Sequence, residues 1–219
     1  MAIIDARTLP NASRIEADLI IIGGGMAGIA LAKELAHGPL KVAILESGGM
    51  EIEGDTQALY AAACVQRAPG NPDRPLHAYP IQSRVRALGG SGHVWGGKCA
   101  PLDPADFAER DWVPYSGWPV TREDMQPYYD RACDLLEIPR FPLEGYASND
   151  PDRQPLALDA ADGFFPAPRE ISKLSGGSDK AAFDAFRTRF AEAPNITVYL
   201  HANVTRIRRQ GAEIAGLDV

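Results

Sequence analysis

The stretch "DLIIIGGGMAGIA", residues 18–30, limits what this chain can fold into more than any other. Its unbroken apolar run lacks the polar alternation of a half-exposed strand and reads as a strand buried in a parallel sheet. Glycines follow at once, and a helical pattern follows them. Met26, Ile29, Ala30 and Leu35 recur at helical spacing, Lys33 and Glu34 fall on the other side, and Gly38-Pro39 supplies a stop. "KVAILE", residues 41–46, reads as a second buried strand, so residues 18–46 form a β-α-β unit with an expected right-handed crossover.

Gly23-Gly24-Gly25-Met26-Ala27-Gly28 satisfies G-x-G-x-x-G at the strand-to-helix junction. There Gly23 permits the tight turn, Gly25 lets bare backbone approach a pyrophosphate, and Gly28 allows helix and strand to pack closely. The N–H groups of the first helical turn, at Met26, Ala27 and Gly28, face the phosphates. Glu46 closes the second strand eighteen residues beyond Gly28, where a carboxylate accepts hydrogen bonds from an adenosine ribose. Dinucleotide binding is therefore the leading expectation. An acid at position 46 disfavours the 2′-phosphate of NADP by charge repulsion, while NAD and FAD both remain open at this point.

Composition narrows the partners. A net charge of −7 with no cluster of Lys and Arg argues against nucleic acid. Residues 1–17 lack a basic start followed by a long apolar run, and no stretch has the apolar length of a membrane span. The expected location is cytoplasmic. Cys64, Cys99 and Cys133 form no CxxC pair, and His37, His77, His93 and His201 do not join them at ligand spacing, so no metal site is expected.

After Gly48-Gly49 the regular alternation is lost, with turn chemistry at "APGNPDRP" (68–75) and "YSGWP" (115–119). Thr121 and Asp124 resemble a capping box for a helix running through about Leu136, with Met125, Tyr128, Tyr129, Ala132 and Leu136 on one side. Six prolines between Pro139 and Pro168 suit an irregular covering segment. Ser178 can cap a helix whose Phe183, Phe186 and Phe190 form a stripe for core packing. Three strands are expected after Pro194, "ITVYL" (196–200), "VTRIR" (204–208) and "EIAGLDV" (213–219), the last two joined by "RQGA" into a hairpin.

A second glycine loop, "LGGSGHVWGG" at residues 88–97, then becomes the discriminating feature. Together with "ADLIIIGGGMAGIALAKEL", "AILESGG", "RALGGSGHVWGGKCAPLDPADF", "WPVTREDMQPYYDRA" and "HANVTRI", it resembles the glucose-methanol-choline (GMC) family of FAD-dependent oxidoreductases, in order and separation across nearly the whole chain. The resemblance implies an α/β fold: a Rossmann-like FAD-binding domain with a parallel sheet and a β hairpin, its core at residues 16–50, 80–110 and 194–219. An interleaved excursion over residues 111–193 would belong to a substrate domain. The implied activity is oxidation of a CH–OH group of an alcohol or sugar, with hydride passing to flavin and then electrons to oxygen or another acceptor.

The family pattern L-G-G-S-x-x-[VIL]-[NW]-G-G lies against the flavin, and Leu88, Gly89, Gly90, Ser91, Val94, Trp95, Gly96 and Gly97 match it. Bare backbone lets a flat ring and a pyrophosphate come close. Ser47 beside Glu46, Arg86 at the head of the second loop and Val204 near the adenine complete the implied contacts. Where some relatives carry a flavin-linked histidine, this chain has Val94, so noncovalent FAD is expected. His93, one position away, is a weak catalytic candidate, more often positional in such a loop. Cys99 reads as an inert thiol and His201 as structural or surface, near a strand start.

The family's catalytic histidine region lies beyond the part this sequence matches. The expectation is an N-terminal, FAD-binding portion with no catalytic residue of its own, inactive alone. The alternatives are a stand-alone FAD-binding module or subunit completed by a second chain, and an NAD-dependent protein.

Overall fold

The structure is a computed structural model that describes residues 2–61, 67–68, 71–75, 84–142, 169–174, 176–177 and 179–219. Cys64, His77, Ser178 and most of the proline-rich segment lie outside the described residues. Two compact units are present: residues 1–95 with 175–219, and residues 96–174. The sequence reading places the excursion at 111–193.

The first unit is built on a four-stranded parallel sheet. Strands β1 (Ala2–Asp5), β2 (Leu19–Ile22), β3 (Val42–Leu45) and β8 (Ile196–Leu200) lie in the order β1-β8-β3-β2. Each adjacent pair is parallel and in register, with Ile21 opposite Ile44 and Ile44 opposite Val198. β3 is central and every one of its residues is buried, as its apolar run requires. β2 departs from the expected burial. It is the edge of the sheet, and Ile20 and Ile22 are exposed on one face while Ile21 is buried on the other.

Helix α1 (Met26–Leu35) packs on β2 and β3 and buries Ile29 and Ala32. Its end differs from the expected glycine stop, because the left-handed residue is His37, with φ of 61°. Asn195 explains how a non-glycine is held there. Its side-chain amide donates to the Leu35 and Leu40 carbonyls at 2.9 and 2.8 Å, and its Oδ1 accepts from the His37 N–H at 2.9 Å. One side chain thus bonds the last carbonyl of α1 and two backbone groups of the turn that follows.

Helix α2 (Gly54–Ala58) follows, then a short antiparallel ribbon of β4 (Arg67–Ala68) and β5 (Asn71–Pro75), where the sequence suggests only turns. A two-stranded ribbon has outward N–H positions that proline can occupy without loss.

In the second unit β6 (Lys98–Cys99) pairs with β7 (Glu170–Ile171), and α3 (Pro104–Phe107) and α4 (Arg122–Leu136) carry capping boxes. Thr121 and Asp124 bond reciprocally at 3.1 and 2.9 Å, as the sequence pattern requires. The buried face of α4 is rotated from the expected one: Tyr128 is exposed, while Arg122 and Cys133 are buried. Arg122 replaces an apolar residue there by stacking 4.7 Å from the Tyr129 ring and donating to Gln126 at 2.6 Å. Burial pushes the thiols of Cys99 and Cys133 up, away from the reactive thiolate.

Helix α5 (Lys180–Thr188) returns to the first unit, capped by Asp179, whose Oδ1 accepts from the Ala182 N–H at 3.0 Å. Phe183, Phe186 and Phe190 are all buried, which bears out the aromatic stripe as core. The chain closes with β9 (Arg206–Gln210) and β10 (Glu213–Asp218), an antiparallel hairpin turning at Gly211 and bulged between Ile214 and Gly216. No described helix is long and apolar enough to cross a membrane.

Gly28 fixes the spacing of α1 on its strand, since a Cβ there would stand 2.1 Å from the Gly23 carbonyl oxygen. Alanine for glycine gains about 1 kcal/mol of helix propensity, but forcing backbone apart costs about 1–3 kcal/mol. Gly28→Ala is therefore expected to lower the urea midpoint, and an unchanged or higher midpoint would contradict the close approach.

Candidate functional site

Three segments of the first unit meet at the carboxyl ends of β2 and β3. The turn after β2 places Gly23 in the left-handed region, φ 98°, with its N–H on the Leu45 carbonyl at 2.8 Å. Gly25 caps α1 with no side-chain hydrogen bond. The N–H groups of Met26, Ala27 and Gly28 therefore have no intrahelical partner and a positive helix end behind them. Nothing lies within 4 Å of a Cβ built on Gly23, and at Gly25 the nearest atom is the Gly90 Cα at 4.0 Å. Open space beside bare backbone at a helix N-terminus fits the diphosphate of a dinucleotide.

Glu46 is buried at the end of β3, with 5% of its surface exposed. Its Oε2 accepts from the Gly24 N–H at 2.8 Å, and its Oε1 from the Gly48 N–H at 2.8 Å and the Ser47 hydroxyl at 3.3 Å. A carboxylate offers about four lone-pair positions, so roughly one is left for another donor. The carboxylate is locked in place by the glycine turn it faces.

The second glycine loop is laid directly on the first. The Gly89 N–H donates to the Gly24 carbonyl at 2.7 Å, the Leu88 N–H to the Gly49 carbonyl at 2.9 Å, and a Cβ on Gly90 would stand 3.0 Å from the Gly25 Cα. Gly89 and Gly90 both have positive φ, 107° and 56°. Residues 90–93 form a single 3-10 turn, followed by Val94 and Trp95. Ser91 and Val94 are exposed and Trp95 is half-buried. Gly96 and Gly97 are counted with the second unit, where the Gly97 carbonyl accepts from the Ser172 N–H at 2.8 Å.

The remaining candidates are placed as follows. His93 Nε2 lies 2.9 Å from the Leu88 carbonyl oxygen, which makes that nitrogen the N–H donor, and its ring meets Phe183 edge-on at 4.9 Å. Arg86 sits 4.5 Å over the Tyr60 ring and donates to Asn203 Oδ1 at 3.1 Å, and its buried Nε has no hydrogen-bond partner among the described residues. Val204, next to Asn203, packs against the cluster of Ala43, Leu45, Tyr199 and Ala202. His201 directly follows β8 instead of lying at a strand start. Its φ is 54°, its N–H bonds the Gly48 carbonyl at 2.9 Å, and its Nε2 lies 3.5 Å from Glu53. Cys99 Sγ donates to the Gly97 carbonyl at 3.3 Å. No group of three or more His, Cys, Asp or Glu suited to a metal occurs among the described residues.

Sequence reasoning missed Gln57, whose side chain bonds the backbone of Arg84 and Arg86 at 2.5 and 3.1 Å, and Arg187 behind the second loop. Neither carries a local signal, because their partners lie far away along the chain. Replacing Glu46 by alanine would leave the buried Gly24 and Gly48 donors without a partner, at an expected cost of about 2–3 kcal/mol in urea unfolding. A change under about 0.5 kcal/mol would show that the carboxylate does not hold the turn.

Several known proteins resemble this chain. An FAD binding domain family matches residues 18–79. An uncharacterized GMC-type oxidoreductase of Rhodococcus erythropolis is 26% identical over 241 residues, covering 93% of this chain and 46% of that protein. Pyridoxine 4-oxidase from Mesorbium loti shares the fold with a TM-score of 0.51 at 18% identity, covering 92% of this chain and 45% of that one. A formate oxidase of Aspergillus oryzae gives 0.44 at 19% identity, over 92% and 41% of the two chains. The chain spans about half the length of the relatives it matches. The glycine turn, the buried acid and the second glycine loop thus stand in a chain whose residues 18–79 match an FAD binding domain and which is similar over 93% of its length to a GMC-type oxidoreductase.

Proposed function

We propose that this chain holds FAD noncovalently for an oxidoreductase that removes hydride from a CH–OH group of an alcohol or sugar. The observation that carries the reading is the pairing of two glycine loops, one at an uncapped helix N-terminus and one stitched beside it through the Gly89–Gly24 hydrogen bond. The fold neighbour named as an oxidase of pyridoxine supports it.

Bound FAD supplies the hydride acceptor. The chain's own residues bind and orient. Backbone at Gly23 and Gly25 and the N–H groups of Met26, Ala27 and Gly28 hold the diphosphate, and Glu46, aligned by Ser47, accepts a ribose hydroxyl through its remaining lone pair. Arg86 and Val204 serve the adenosine side. Gly89, Gly90, Ser91, Val94, Trp95, Gly96 and Gly97 serve the flavin side. Val94 offers no nucleophile for a covalent link.

No described histidine is assigned the role of base. His93 is turned onto the Leu88 carbonyl, His201 faces Glu53, and His37 lies in the turn after α1. A base supplied by further polypeptide, in this protein or in a second chain, completes the reaction in this reading.

Purified protein mixed with FAD is expected to stay yellow through gel filtration and to release intact FAD on acid precipitation. With alcohols and a dye acceptor it is expected to show no sustained turnover. Flavin that stays with the precipitate would contradict the noncovalent reading, and steady dye reduction would contradict the assignment of the base elsewhere.

A further inference from the structure

Helix α5 lies directly behind the second glycine loop. A Cβ on Gly89 would stand 2.6 Å from Phe183 Cζ and one on Gly92 2.7 Å from Phe183 Cε2, so these two glycines are required by the helix behind the loop, whatever lies in front of it. One turn further along α5, Arg187 is 2% exposed. Its Nη1 donates to the Met50 carbonyl at 2.5 Å and to the Leu88 carbonyl at 3.3 Å. Its Nη2 meets Glu51 at 2.5 Å, and its Nε meets Asp184 at 2.7 Å. The guanidinium therefore ties the segment after the first β-α-β unit to the entry of the second loop. The Leu88 carbonyl receives both Arg187 and His93, which uses its two lone pairs.

We propose that Arg187, backed by Phe183, is a positioning residue for the flavin-side loop: it fixes residues 88–95 so that the flavin half of FAD, but not the ADP half, depends on it. The inference rests on the placement of the flavin against this loop given above. In that reading the ADP half is held by Gly23, the α1 N-terminus, Glu46, Arg86 and Val204, none of which is a partner of Arg187. Without the guanidinium, the Leu88 and Met50 carbonyls lose a charged donor, and the Leu88 carbonyl keeps only His93, itself a residue of the loop. Lysine cannot replace it fully, because one ammonium does not reproduce the planar fork that reaches two carbonyls and two carboxylates together.

The test is titration of FAD and of ADP into wild-type protein, Arg187→Met, Arg187→Lys and Glu51→Gln, with the visible spectrum of bound FAD recorded. Wild type is expected to bind FAD more tightly than ADP. Arg187→Met is expected to weaken FAD by about tenfold or more while leaving ADP within about twofold, which also shows that the variant is folded. Arg187→Lys should fall between. Glu51→Gln, altered on a half-exposed side chain, should shift the same ratio in the same direction by less. Parallel loss of FAD and ADP, or an unchanged FAD-to-ADP ratio in Arg187→Met, overturns the positioning role. A wild type that binds FAD no better than ADP overturns instead the placement of the flavin, and the inference with it.

Discussion

The backbone of one glycine loop resting on the backbone of another organises the first unit. Gly89 donates to Gly24 at 2.7 Å, and a Cβ on Gly90 would stand 3.0 Å from the Gly25 α-carbon. That contact joins the β-α-β unit to a segment more than sixty residues away, where Gly89 and Gly90 both adopt positive φ. Other contacts radiate from it. Glu46 is buried against Gly24 and Gly48, the Gly48 carbonyl anchors His201, and the Gly49 carbonyl holds Leu88. A buried carboxylate is tolerable because the Gly24 and Gly48 N–H groups donate to it.

Much of this was legible because it is local. The run from Asp18 to Glu46 carries strand, turn, helix, strand and acid within thirty residues, and the Thr121–Asp124 pair announces its helix in four. The phenylalanine stripe on α5 could be read from spacing. What escaped the sequence depends on partners far along the chain. β1 is only four residues long and exists as a strand because Ile3 aligns with Val198. The left-handed residue after α1 is His37 and not the adjacent glycine because Asn195, over 150 residues later, supplies the hydrogen bonds. Arg187 looks from sequence like a solvated charge on a helix, yet it is among the most buried side chains, since four acceptors converge on it.

The site shows the same division. Gly23 and Gly25 lie in the turn between β2 and α1 and Glu46 at the end of β3, places that local backbone geometry sets. The second loop is more crowded than a ligand cradle alone requires. Gly89 and Gly92 are small because Phe183 occupies the space behind them, while Gly23 and Gly25 are small with open space around them. One residue type answers two different constraints, and only the packing separates them. His93 illustrates the point from the other side: a histidine in a glycine loop invites a catalytic reading, and the ring is here a strut between Leu88 and Phe183.

The exposed strand β2 has a consequence of a different kind. Among the described residues no strand pairs with its outer side, and Ile20 and Ile22 face water beside it. Sheet edges are ordinarily guarded by lysine, proline, a bulge or a covering helix, and Leu19-Ile20-Ile21-Ile22 contains none of the first three. An unguarded parallel edge recruits other strands in proportion to how many are nearby. For Leu19-Ile20-Ile21-Ile22, association through that edge is therefore a matter of protein concentration.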